Sequence, residues 1–161
     1  MKRNILIIFS IVATIFLSNA QTLSWGSVVE DQLAKMRASD KVLQNGLRAK
    51  GYTVDVSTSF NKSTSTFTTE IYYRNPKQYE NTVNTAFLQR SKDIYVNAFL
   101  QDILQQDPSG YVGLDGITIF VEHNAKLKFV YSTTNKGKKI QKNFVVSYAE
   151  LKRAILKALG Y

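Results

Sequence analysis

The period of apolar and polar positions changes several times along the chain, and each change marks an element. Between Ser27 and Gly51 the apolar residues Val29, Leu33, Met36, Leu43 and Leu47 recur at helical spacing. Ser27 and Glu30 form a capping box at its start, and Gly51 is placed to end it in a left-handed conformation. From Tyr52 to Phe60 the period falls to two, with Tyr52, Val54, Val56 and Phe60 opposed to Thr53, Asp55, Ser57 and Ser59. Asn61-Lys62-Ser63 supplies a turn, and Thr64 to Arg74 alternates again, which predicts a hairpin.

The stretch from Pro76 to Gln106 reads as one long helix. Proline opens it without losing a needed amide, and Pro108 with Gly110 closes it. Its second half, Ile94 to Leu104, is apolar around the whole circumference and requires cover on more than one side. A helix of that length reaches about 46 Å, whereas a nine-residue strand spans about 30 Å. The pattern therefore predicts a break near Arg90-Ser91-Lys92. The alternative is an end that projects and packs on another chain, a homodimer through Ile94 to Leu104.

Beyond the loop at Asp107 to Asp115, alternation at Ile117, Ile119 and Val121 predicts a strand from Gly116 to Glu122. His123-Asn124-Ala125 turns the chain into a second strand, Lys126 to Ser132. A turn at Asn135 to Lys138 leads to a third, Lys139 to Val146. Ser147 and Glu150 cap a last helix that runs to about Leu159. The predicted order is α-β-β-α-β-β-β-α. It describes an α+β domain with an antiparallel sheet of about five strands, two hairpin-linked and then three, and helices packed on one face.

Composition adds a compartment and a charge. Met1-Lys2-Arg3-Asn4, a mostly apolar run from Ile5 to Leu17 and the small residues Ser18 and Ala20 have the layout of a secretory signal peptide over residues 1–20. The run is too short to span a bilayer, which takes about 20 apolar residues. The expectation is a cleaved leader and a single domain over residues 21–161, periplasmic or extracellular, with no transmembrane segment in the mature chain. Cysteine is absent, so packing alone stabilises the domain and thiolate metal sites are excluded.

Charge is uneven. Residues 21–115 carry ten basic and ten acidic side chains, whereas residues 116–161 carry nine basic and two acidic. A block of one sign attracts anions, although lysines on exposed strands also serve to prevent strands from aggregating. The basic residues Lys126, Lys128, Lys136, Lys138, Lys139 and Lys142 are the candidate partner-binding set. Phe129, Tyr131 and Phe144 alternate with lysines and so face the core, which argues against base stacking and against nucleic acid as the partner.

Catalytic patterns are missing. There is no G-x-S-x-G elbow, no S-x-x-K pair and no phosphate-binding glycine pattern. The single histidine, His123, has no ligand partners at metal-binding spacing. Asp55, Glu70 and Glu122, all placed on strands by the pattern, are the carboxylates that a glycosidase reading would pair. No cofactor is implied. The sequence points away from an enzyme, towards an exported domain that binds a protein or an anionic envelope component as an inhibitor, immunity-type or envelope-associated factor. The alternative is a small-molecule carrier or small enzyme with a cavity between sheet and long helix, lined by Tyr72, Tyr73, Tyr95 and Phe99.

Overall fold

The computed structural model describes residues 24–161. The expected signal peptide and the cut before Gln21 lie outside the described residues. Among the described residues the fold is α+β, with five α-helices and a four-stranded mixed sheet in the order β1-β2-β3-β4. Among the described residues no helix is long and apolar enough to cross a membrane.

Helix α1 spans Trp25–Ala49 and begins one turn before the expected capping box. Ser24 takes the N-cap position, accepting from the Ser27 amide at 3.3 Å, and Ser27 donates its hydroxyl back to the Ser24 carbonyl at 2.9 Å. At the other end Gly51 adopts φ +87°. The Gly51 amide bonds to the Arg48 carbonyl and the Tyr52 amide to the Leu47 carbonyl, a pairing that satisfies the last free carbonyls of the helix.

Strands β1 (Val54–Asn61) and β2 (Thr66–Tyr73) form the expected antiparallel hairpin, in register from Val54 opposite Tyr73 to Asn61 opposite Thr66. The Asn61 side chain holds the turn by accepting from the Ser63 and Thr64 amides.

The stretch expected as one helix is two. Helix α2 spans Pro76–Thr82 and α3 spans Thr85–Gln106. The break lies at Val83-Asn84 and not at Arg90 to Lys92, for a local reason. Asn84 is extended and accepts from the Phe87 amide at 2.9 Å, a new N-cap, while Val83 is extended and buried. With 22 residues α3 reaches about 33 Å, matching a ten-residue strand at about 33 Å.

The expected strand from Gly116 to Glu122 is a helix, α4, over Tyr111–Glu122. Its buried positions are Gly113, Ile117 and Phe120, a helical spacing, so the alternation at Ile117, Ile119 and Val121 misleads. Tertiary contact decides the matter. A Cβ on Gly113 would stand 2.4 Å from Ile103 Cγ2, so glycine there admits α4 against α3. Asp107 caps the start by accepting from the Val112 amide at 2.8 Å.

Among the described residues the sheet therefore has four strands, not five. Strands β3 (Lys126–Asn135) and β4 (Lys138–Ser147) form an uninterrupted antiparallel hairpin, and α5 (Tyr148–Ala158) follows, its N-cap Ser147 accepting from the Glu150 amide. Strand β3 lies parallel to β2, so the sheet is mixed rather than wholly antiparallel. The three helices between β2 and β3 supply the long crossover that a parallel neighbour demands.

One face of the sheet carries Val54, Phe67, Ile71, Tyr73, Leu127, Phe129, Tyr131, Phe144 and Val146. These join the buried residues of the helices in a single core. Tyr95, Ala98, Phe99 and Ile103 of α3 are buried there, and Ile94, Val96 and Leu100 pack against it. The circumferential apolarity of Ile94 to Leu104 is thus satisfied by the sheet and neighbouring helices of one chain. The opposite face presents Asp55, Ser57, Thr68, Glu70, Tyr72, Lys126, Lys128, Ser132 and Lys139, none of them in the core cluster.

Candidate functional site

The candidate lysines separate into two groups because β3 and β4 run antiparallel. Lys126 pairs with Ser147 and Lys128 with Val145 at one end of the hairpin, while Asn135 pairs with Lys138 at the other. Lys136, at φ +50°, and Gly137, at φ +76°, form the turn there. At the hairpin tip stand Lys136, Lys138 and Lys139, with Lys142 three residues farther along β4. Every residue from Lys136 to Asn143 is exposed, so this end of β4 is wet on both faces.

Register also divides the lysines between faces. Lys126, Lys128 and Lys139 share the open face. Lys142, opposite Tyr131, is on the core side, so the six do not form one surface. Its ammonium reaches the Val83 carbonyl at 3.1 Å, satisfying the end of α2. Among the described residues, Lys136 and Lys138 make no ion pair.

Lys139 is held differently. Its ammonium stands 2.7 Å from Glu70 Oε1 on the open face, and the buried Ser132 hydroxyl donates to the same oxygen at 2.5 Å. Burial acts to raise the Glu70 pKa, but the hydrogen bonds from Lys139 and Ser132 outweigh it and hold the carboxyl below its ordinary value. Asp55, two register positions away across β1 and β2, is also lowered, first by the hydrogen bond from Arg74 at 2.6 Å. Glycosidic cleavage by a carboxyl pair requires one group kept protonated near neutral pH. Both of these are pushed the other way. Glu122, expected on a strand, ends helix α4.

The residues of the cavity reading do not converge. Tyr73, Tyr95 and Phe99 are core side chains, each 3% exposed or less. Tyr72 is the strand neighbour of Tyr73 and so projects from the opposite face. His123 follows α4 and stacks on Trp25 with ring centroids 4.2 Å apart and planes 6° apart, tying the start of α1 to the end of α4. Among the described residues no three His, Asp or Glu side chains gather as a metal site.

A feature that pattern reading missed lies at the other edge of the sheet. Gln44 of α1 accepts from the Val56 amide at 2.9 Å, Arg37 donates to the Thr58 carbonyl at 3.3 Å and Arg48 donates to the Val54 carbonyl at 3.1 Å. Asp40, on the same stripe, accepts from the Thr58 hydroxyl at 2.7 Å. Helix α1 thus covers the outward backbone of β1 with side chains. The spacing 37, 40, 44, 48 beside the apolar stripe is the signal that could have revealed it. Edge β4 has no such cover. Among the described residues, no loop or side chain bonds to the backbone of Lys138 to Val146 beyond its pairing with β3.

Comparison with protein-family models, with curated proteins and with solved structures finds no match to this chain.

Proposed function

We propose that the protein is an exported, non-enzymatic interaction domain that binds an anionic partner, a protein or an envelope component, through the β3–β4 hairpin. The observation that carries this reading is the convergence of Lys136, Lys138, Lys139 and Lys142 on the exposed end of one hairpin. A cluster of like charges on a protruding element raises the local concentration of anions and steers their approach. Nearby acids are few. Glu70 is engaged by Lys139, and Glu80 accepts from the Asn135 side chain at 3.1 Å.

Export is supported by the basic start, the apolar run at Ile5 to Leu17 and the small residues up to Ala20. Intact-mass measurement of the protein recovered from its envelope fraction should show residues 1–20 removed. An uncleaved chain would refute the leader.

The binding reading is tested by retention on heparin and on phosphatidylglycerol vesicles at low ionic strength. Lys136→Gln, Lys138→Gln and Lys142→Gln together should weaken retention, and the pair Lys126→Gln and Lys128→Gln should change it much less. Lys139 is left in place because its loss would also strand Glu70. Equal retention by wild type and the triple variant would overturn the assignment.

A further inference from the structure

We infer that edge strand β4 receives an acidic, extended segment of a partner protein as a fifth strand of the sheet. The inference rests on the reading of the hairpin as an anion-binding element and names its partner class. An unpaired strand edge offers a row of backbone donors and acceptors, and proteins blunt such edges with short strands, prolines, bulges, covering elements or charge. Strand β4 has ten residues, no proline and a register with β3 that runs without interruption from Ser147 to Lys138. Of those devices it uses charge alone, whereas α1 bonds the backbone of β1 at Val54, Val56 and Thr58.

Charge excludes selectively. Lys138 and Lys142 project on one side of β4 with Ile140 between them, and Lys139 projects on the other side with Gln141 and Asn143. β4 has no acidic residue. A second copy pairing antiparallel about Ile140 would set Lys138 against Lys142, a repulsive register. The segment at residues 1–23 contains no Asp or Glu, so it lacks the charge to be the occupant. An incoming strand with carboxylates opposite the three lysines and an apolar residue opposite Ile140, which is 37% exposed, meets every position. Backbone pairing would supply affinity and the lysines specificity.

The test uses the purified chain and four probes. The first is acetyl-Thr-Thr-Glu-Thr-Val-Glu-Glu-Thr-amide, which in antiparallel register sets Glu against Lys142, Lys139 and Lys138 and Val against Ile140. The second has lysine for each glutamate. The third and fourth are the acidic peptide N-methylated at its odd or at its even amides, so that only one of them loses the amides that face the sheet. Binding is read by calorimetry and by slowed amide exchange along Lys138 to Val145.

The acidic peptide should bind, the lysine peptide should not, and one N-methylated form should bind about tenfold more weakly or worse, as loss of several backbone hydrogen bonds requires. Two outcomes would overturn the fifth strand while leaving the anion-binding hairpin in place. One is equal binding by both N-methylated forms. The other is retention on phosphatidylglycerol vesicles with no binding of any peptide. If neither peptide nor vesicle binds, both readings fall. Sedimentation as a dimer that the acidic peptide does not dissociate would assign the edge to a second copy instead.

Discussion

The two edges of this sheet meet the same physical problem in opposite ways. At β1 the outward backbone is satisfied by Arg37, Gln44 and Arg48 from a helix that also buries Val29, Met36 and Leu43, so closing the edge and building the core are one event. At β4, among the described residues, no side chain or loop bonds the backbone beyond its pairing with β3, and Lys138 to Asn143 are exposed with lysine at three of the six positions. Covered backbone is integral to stability, whereas a charged bare edge contributes little to it and stays available for pairing. The difference separates residues that hold the fold from residues free to meet a partner.

The largest expected effect of a single change is at the covered edge. Gln44→Leu leaves the Val56 amide without its acceptor in a partly buried setting and should cost about 1–3 kcal/mol in urea unfolding, with no effect on retention by anionic surfaces. A loss under about 0.3 kcal/mol would show that water serves that edge as well as the side chain does.

Removing the screen at β4 should change association more than stability, since loss of the partly exposed Lys139–Glu70 pair costs under about 1 kcal/mol. Replacing Lys138, Lys139 and Lys142 with threonine leaves a long, uncharged edge of high strand propensity, and sedimentation should show concentration-dependent self-association that wild type lacks. A monomer at every concentration would mean that lysine is not what keeps copies apart.

A smaller effect tests the pair that links β4 to the open face. The folded-state pKa of Glu70 is lowered, so the pair stabilises the fold above the ordinary carboxyl value of 4.5. That stability is lost as pH falls through the lowered folded value. Glu70→Gln should destabilise by under about 1 kcal/mol near neutral pH, as for a partly exposed pair. Its stability should also fall less steeply between neutral and acidic pH. Some acid sensitivity must persist, because Asp55 is lowered by Arg74 and titrates in the same direction. A variant with the wild-type pH profile would show that Glu70 is not linked to folding. The smallest change is Lys136→Gln, which should leave unfolding within about 0.5 kcal/mol of wild type while reducing retention at low salt.

Much of the fold was legible in the sequence where local chemistry and pattern agree. The alternation in both hairpins placed β1, β2, β3 and β4, and Gly51 and Ser147 marked helix boundaries through their own backbone and side-chain bonds. The break at Val83-Asn84 carries its own local signal, the Asn84 cap, whereas the polar triplet at Arg90 to Lys92, the expected site of the break, continues the helix. At the candidate site the lysine-rich hairpin was visible from composition, but its grouping was not. Alternation assigns a side to each residue within one strand, and only the pairing of Lys126 with Ser147 and Lys142 with Tyr131 sets lysines of different strands on the same or opposite faces.

The sequence by itself determined the hairpins, the capped helices and the concentration of positive charge beyond residue 116, because these depend on neighbours a few positions apart. Tertiary structure decided the rest. It made Tyr111–Glu122 a helix, since a β-branched run can adopt either state and the close approach of Gly113 to Ile103 selects one. It set β3 parallel to β2, and it covered one edge of the sheet while leaving the other bare, through contacts between residues far apart in the chain that no local pattern encodes.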